Sequence, residues 1–241
     1  MKRWRSIGAS VIGPAHVTDG KPNQDAWRAF HRKWGFGIAI SDGVGSKPLA
    51  DIGSRYACRA VAQAAWRCHS LGRPAHDALP AHISTCWQSL ITPLPASDCA
   101  ATCLFAVRLN DGLMRIGMLG DGLAAVLKTD GSMLLLSEDK SAGFSNMTAA
   151  LSADEARNRQ HWQHATLPED QCDAVLLCTD GVADDLIDAE GFTRGAIAAY
   201  RKLSTRQANR AIRDMLRHWA TPKHSDDKTL ACLLREEIHD E

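Results

Sequence analysis

Gly35–Ser46 reads GFGIAISDGVGS, and the way this stretch ends decides how the rest of the chain is interpreted. Phe36–Ile40 is a short apolar run rich in isoleucine, as a buried strand is, and it stops at Ser41-Asp42-Gly43. A carboxylate at the end of a central strand is held rigidly yet can still meet solvent or a metal ion. Gly43 and Gly45 carry no side chains, so backbone carbonyls there are open to close approach by a ligand. The arrangement recurs twice: Met114–Leu119 runs into Gly120-Asp121-Gly122, and Ala174–Cys178 runs into Thr179-Asp180-Gly181.

Asp-Gly is also a strong hairpin signal. Asn110-Asp111-Gly112 joins two strand-like runs, Thr102–Leu109 and Leu113–Leu119. Thr129-Asp130-Gly131 likewise joins Leu123–Lys128 to Ser132–Leu136. These two are predicted to be plain turns whose aspartates tolerate replacement by Asn. Asp42 and Asp180 differ, because Gly53–Gln63 and Ala183–Arg201, which follow them, have helical spacing. Asp121 stays open between turn residue and site residue, since another strand follows it.

The 241 residues suffice for one large domain, and no internal repeat or linker divides them, so a single domain over 1–241 is expected. Lys+Arg and Asp+Glu are both 28, a balance that argues against a general nucleic-acid binder. No apolar stretch has the length to span a bilayer, and the basic MKRWRSIGAS start has no apolar run behind it, so a cytoplasmic protein without a membrane partner is expected. The 8 Cys include no C-x-x-C pair and read as reduced, mostly buried thiols. A zinc site from Cys68 or Cys86 with His69 or His82 fits no common spacing.

Along the chain, Ile7–Ile12 is predicted as a strand, Gly13–Pro22 as a loop and Trp27–Phe30 as a second strand. Helices are expected over Leu49–Cys68 and Pro74–Ser89, the latter ended by Pro93 and Pro95. Ala100–Val107, Leu113–Leu119, Ala124–Lys128 and Met133–Leu136 read as an antiparallel meander. Ser137–Ser152 is polar and loop-like, and Ala153–Arg159 reads as a short surface helix. Ala174–Cys178 is a buried strand, Gly191–Tyr200 and Thr205–Trp219 are helices, and Thr229–Leu234 closes as a strand. In Thr205–Trp219 the residues Ala208, Ala211, Ile212, Met215, Leu216 and Trp219 form one apolar face.

Asp25, Asp42, Asp121, Asp180 and the Asp226/Asp227 pair all abut apolar runs. Strands packed in one core can bring such ends together. Clustered carboxylates repel and raise one another's pKa unless a cation compensates. All-oxygen donors select Mg2+ or Mn2+ over zinc. A cluster of this size suits a two-metal site, for which phosphate-ester hydrolysis is the natural reaction. No loop has the closely spaced acids of an EF-hand.

Asn23-Gln24-Asp25-Ala26, Ser41-Asp42-Gly43-Val44-Gly45, Ala101-Thr102, Gly120-Asp121-Gly122, Thr179-Asp180-Gly181-Val182 and Asp226-Asp227-Lys228-Thr229-Leu230 together resemble the metal-dependent type 2C protein serine/threonine phosphatases. Their order and spacing match from Ile7 to Leu234, and the resemblance is to the compact bacterial branch. It implies an α+β fold, a four-layer α-β-β-α sandwich of two antiparallel sheets flanked by helices. It also implies a phosphoprotein phosphatase acting on phosphoserine and phosphothreonine by direct attack of a metal-bound hydroxide, with a partner Ser/Thr kinase. By the same resemblance Asp42 bridges two Mn2+ or Mg2+ ions and the Gly43 carbonyl binds one. Asp25 lies in the N-terminal metal motif. Asp180 and Asp226 hold the other ion, Asp226 being chosen over Asp227 because it stands three residues before Thr229. Catalysis then falls to Asp42, Asp180 and Asp226. Bacterial relatives often take a third, looser ion, which places Asp121 and Asp184 near it, and Ser137–Ser152 falls where the family has its flap.

Two departures stand out. The family's phosphate-binding arginine is replaced by Gly20, leaving Lys21 beside it as the candidate anchor or as a plain loop lysine. His16 is a second candidate for contacting the phosphate or leaving group, or else a solvated loop histidine. Val44 stands where many animal members have a histidine. Alternatives are a catalytically weak phosphoprotein-binding module on the same fold, which the missing arginine favours, and a small-molecule phosphate monoesterase.

Overall fold

The computed structural model describes residues 2–72, 78–137, 149–153, 160–220 and 225–237. Among the described residues, ten strands form two five-stranded antiparallel sheets. The first runs β1 (Lys2–Val11), β10 (Lys228–Glu237), β9 (Cys172–Cys178), β6 (Leu123–Lys128), β7 (Met133–Ser137). The second runs β2 (Asp25–Arg32), β3 (Gly35–Asp42), β4 (Cys103–Leu109), β5 (Leu113–Leu119), β8 (Gln163–Pro168).

Period-2 alternation sorts each strand's side chains into layers. Ile38 and Ile40 of β3, Val175 and Leu177 of β9, and Ala231 and Leu233 of β10 pack between the sheets. Ala39 faces the opposite way, toward α2 (Ala50–Ser70) and α3 (Ala78–Ile91). Leu176 and Cys178 of β9 and Leu230 and Cys232 of β10 face α5 (Ala189–Arg201) and α6 (Thr205–Arg217). Three apolar layers therefore separate four structural ones, which is the expected α-β-β-α sandwich.

Local chemistry explains the helices that frame it. The inner face of α2 carries Ala57, Ala60, Val61, Ala64 and Ala65, all buried, so small side chains let the helix lie close to its sheet. α3 ends at Ile91, just before Pro93 and Pro95. α6 starts with a reciprocal capping box between Ser204 and Gln207 and buries Ala208, Ile212 and Leu216. Trp219 lies beyond the helix end but still packs on that layer. Among the described residues no helix is long and apolar enough to cross a membrane.

The structure departs from the sequence reading in four places. The expected meander breaks at Gly120–Gly122: β5 and β6 lie in different sheets, and the chain crosses between them there. β8 was not anticipated; its alternation is carried by polar residues, with only Leu167 buried. Pro14–Thr18, expected as loop, forms a short helix, α1, begun by a proline that presets its first turn. Asp111 is more than a turn residue, because it pairs with the guanidinium of Arg115, whose side chain is 2 % exposed. Asp130 does behave as expected, accepting from the Ser132 amide and hydroxyl in an exposed turn. The segment 138–148, in the predicted flap, residues 154–159 of the predicted surface helix, and 73–77 at the start of the predicted second helix lie outside the described residues.

Asp111→Ala leaves a buried guanidinium without its carboxylate. With water partly replacing a half-open partner, a stability loss of about 1–2 kcal/mol is expected in urea unfolding. Asp130→Ala is expected to change stability much less. Equal effects at the two sites would return Asp111 to the status of an ordinary turn residue.

Candidate active site

The layer between the sheets is apolar along its length and polar at one end. Asp25 continues the face of Trp27 and Ala29, Asp42 that of Ile38 and Ile40, Thr179 that of Leu177, and Thr229 that of Ala231. The same alternation that builds the core thus aims four polar residues at its mouth. In the β2–β3 register Asp25 stands directly opposite Asp42.

Each carboxylate is held by neighbours. Asp25 is 6 % exposed; Thr179 Oγ1 donates to its Oδ2 at 2.9 Å, while Oδ1 is buried with no hydrogen-bond partner among the described residues. Thr179 Oγ1 in turn accepts from the Thr229 amide at 3.0 Å. The amide of Asp42 donates to Thr102 Oγ1 at 2.9 Å, and the Thr102 amide donates to the Asp42 carbonyl at 2.8 Å. Asp180 opens the short helix α4 (Asp180–Ala183), and its Oδ1 accepts from the Gly181 amide at 2.7 Å. Asp121 sits in the crossover between Gly120 (φ 104°) and Gly122 (φ 112°), a turn that favours glycine on both sides. This turn brings a carboxylate oxygen of Asp121 within 4.8 Å of oxygens from Asp42 and Asp180.

Electrostatics follow from this crowding. Burial pushes Asp42 well above the usual carboxylate range, and the charges of Asp25, Asp180 and Asp226 add to the rise. Burial raises Asp25 to about 7, and burial with the charges of Asp121 and Asp226 raises Asp180 to about 7. Asp184 ends α4, contributes to the rise at Asp180, and lines a cavity of about 290 Å³ together with Asp121. Asp226 accepts from the Asp227 amide at 2.8 Å. The donor set is all oxygen and acidic, and a buried oxygen of Asp25 has no hydrogen-bond partner among the described residues. These residues fit a hard divalent cation such as Mg2+ or Mn2+.

Gly43 has a packing reason as well as a ligand one: a Cβ there would lie 2.4 Å from the Ala50 carbonyl oxygen at the start of α2. The two substrate candidates lie on the β1–β2 connection. His16 is not a solvated loop histidine; its side chain is 12 % exposed and its Nδ1 lies 2.9 Å from Asp227 Oδ2. Lys21 is 48 % exposed and its Nζ is 3.8 Å from Asp19 Oδ2. Gly20, before it, has φ 66° and open space around its Cβ direction.

Sequence reasoning weighed Asp227 only as an alternative to Asp226 and missed its anchoring role. Its carboxylate accepts from the amides of Gly13 and Gln24, both at 2.6 Å, in addition to His16, so it fastens the β1–β2 connection to the site. It also passed over Thr179 and Thr229. Their positions two residues from core-facing Leu177 and Ala231 were the available signal. The possible zinc residues do not assemble: among the described residues the aspartates above are the only candidate metal cluster, and Cys68 and Cys86 are buried free thiols.

The site is thus a cluster of carboxylates at the mouth of an α-β-β-α sandwich. The protein phosphatase 2C family model matches residues 12–217, and the chain belongs to that family. This membership supports a phosphatase function. Among solved structures, the chain is similar to the photosystem II phosphatase PBCP, at 14 % identity and TM-score 0.68 over 98 % of this chain and 100 % of that one. A bacterial serine phosphatase matches at 15 % identity and TM-score 0.62 over 99 % and 100 %. RsbX in complex with magnesium matches at 15 % identity and TM-score 0.60 over 98 % and 100 %. No curated protein sequence matches. The structural likenesses establish the shared fold.

The raised carboxylates give the metal-free protein a distinctive pH response. Asp25 and Asp180 titrate near 3.8 when unfolded and near 7 when folded, so the unfolded chain releases these protons first as pH rises. Their contribution therefore lowers stability progressively between about pH 4 and pH 7. In EDTA, Tm is expected to fall from about pH 5 to about pH 7.5, less steeply in Asp180→Asn, and saturating Mg2+ is expected to restore it. An identical pH slope in Asp180→Asn and the parent would show that Asp180 is not under this strain.

Proposed function

We propose that the protein is a divalent-metal-dependent phosphoprotein phosphatase, a single catalytic domain over 1–241, that hydrolyses phosphoserine and phosphothreonine. The observation that supports this reading is the convergence of Asp42, Asp121 and Asp180 oxygens within 4.8 Å in a chain of the 2C family. In this reading Asp42, Asp25 and the Gly43 carbonyl, with Asp180 and Asp226, would hold two Mg2+ or Mn2+ ions, Asp42 serving both, Asp25 and Gly43 one, and Asp180 and Asp226 the other. Asp121 and Asp184 would serve a third. Bound there, the ions supply an activated water and offset the charge that develops on the phosphoryl group. The chain's own residues hold the geometry: Thr102 fixes the Asp42 backbone, Thr179 orients Asp25, and Asp227 anchors the segment bearing His16 and Lys21. With Nδ1 of His16 engaged by Asp227, Nε2 is the ring nitrogen left for a phosphate or leaving-group contact. A Ser/Thr kinase would supply the substrate. Eight buried free thiols support placing the protein in the reducing cytoplasm.

Hydrolysis of a phosphoserine peptide is expected to vanish in EDTA and return with Mn2+ or Mg2+, zinc being a poor substitute. Asp42→Asn and Asp180→Asn are each expected to abolish turnover with the fold retained. Full activity after rigorous chelation would overturn the reading. Hydrolysis of p-nitrophenyl phosphate without any phosphopeptide turnover would favour a small-molecule monoesterase. Loss of both activities despite metal binding would favour the weak binding module that Gly20 in place of arginine suggests.

Lys21→Ala is expected to lower kcat/KM for a phosphopeptide on the order of tenfold, as loss of one charge-assisted contact does, without weakening metal binding. Unchanged kcat/KM in steady-state assays would move the anchoring role to His16.

A further inference from the structure

Away from the carboxylates, a groove runs along the outside of α2 and the edge strand β2. It consists of two adjoining cavities. One, of about 590 Å³, lies between Ala26–Arg28 of β2 and the Ile52–Arg59 stretch of α2, with Leu94 at its border. The other, of about 300 Å³, continues past Phe30, Arg32 and Trp34. Arg28 and Arg59 line both, so they stand where the two join.

Both walls start at the end of the sandwich that carries the acidic site, on the helix-facing side of β2. Asp25 is the first residue of β2, and the Ala50 carbonyl that opens α2 lies against Gly43. At about 3.3 Å per residue, Arg28 stands about 10 Å along the strand from Asp25. At about 1.5 Å per residue, Arg55 and Arg59 stand about 7.5 and 13.5 Å along the helix from Ala50. A peptide with its phosphorylated residue at the carboxylates could therefore continue along this groove in extended form.

The groove's chemistry is basic with an apolar floor. Arg28, Arg32, Arg55 and Arg59 are exposed along it, although the chain as a whole has a formal charge of +0. Arg55 pairs with Asp51, and the Arg59 guanidinium lies 5.1 Å from the centre of the Tyr56 ring. Among the described residues neither Arg28 nor Arg59 makes an ion pair with a carboxylate. Ile52, Tyr56 and Leu94 are half-buried between them. Planar guanidinium groups without carboxylates of their own complement the carboxylates of a partner.

We propose that this groove binds an extended acidic segment of the phosphoprotein substrate, Asp- and Glu-rich residues flanking the phosphorylated serine or threonine. This rests on the phosphoprotein reading above and assigns it a sequence preference. Arg28 and Arg59 take the flanking carboxylates, and the Tyr56 floor takes an apolar residue between them.

Two measurements test it separately from that reading. The first is binding of unphosphorylated, fluorescently labelled peptides, one Asp/Glu-rich and one with the same residues amidated to Asn/Gln, by anisotropy without metal or turnover. The acidic peptide is expected to bind at least tenfold more tightly, to weaken with added salt, and to lose about tenfold in affinity in Arg28→Ala/Arg59→Ala. The second is steady-state hydrolysis of phosphoserine peptides with acidic or neutral flanks, beside p-nitrophenyl phosphate. The double variant is expected to raise KM about tenfold for the acidic phosphopeptide and to leave the other two substrates unchanged. Equal binding of acidic and neutral peptides, an unaffected double variant, or tighter binding of an RNA oligonucleotide than of the acidic peptide would overturn the proposal. Selective peptide binding without any phosphopeptide hydrolysis would uphold the groove and overturn the phosphatase reading instead.

Discussion

The constraint on which the structure turns is the crowding of like charges at the end of its own core. Asp25 and Asp42 face each other across β2 and β3, where opposed like charges are destabilising. Asp180 and Asp121 arrive from the other sheet and the crossover to complete the cluster. The sandwich tolerates this because the layer behind it is apolar and closely packed, and because Thr102 and Thr179 fix the backbone or the oxygens of the two facing acids. In the proposed reading a bound divalent cation would relieve this strain, and the arrangement that lowers stability would then be the source of affinity for it.

Two adjacent aspartates divide the work at the start of β10. Asp227 points inward and accepts from two amides and His16, which makes it a structural knot with little capacity for anything else. Asp226 directs its charge at Asp42 and Asp180. A one-residue exchange of roles would reverse these faces, since neighbouring side chains of an extended segment point oppositely.

Much of this was legible in the sequence because apolar runs ending in Asp-Gly mark both the strands and the places where they stop. The helices flanking the sandwich were legible from their spacing, as was the turn at Asp130. Other features were hidden for physical reasons. β8 buries only Leu167, so it carries almost no hydrophobic signal and owes its place to pairing with β5. Asp111 looks like Asp130 in sequence, and only the buried guanidinium of Arg115 separates them. Asp121 could not be assigned from its neighbours, because a hairpin and a crossover between sheets present the same Gly-Asp-Gly. The roles of Asp227 and His16 depend on a contact between the two ends of the chain, which no local pattern records.

That contact has a temporal meaning. Asp227 is separated from Gly13, His16 and Gln24 by 214, 211 and 203 residues. At a translation rate of about 5–20 residues per second, the early segment waits on the order of ten to forty seconds on the ribosome for its partner. Strands β2 to β5 and the helices α2 and α3 are complete well before then and have one another to pack against. The nascent chain therefore has the β2–β5 sheet and its α2/α3 layer available first, with Asp25 already opposite Asp42, and Asp180 and Asp226 join them only with β9 and β10, whose strands close the layer between the sheets.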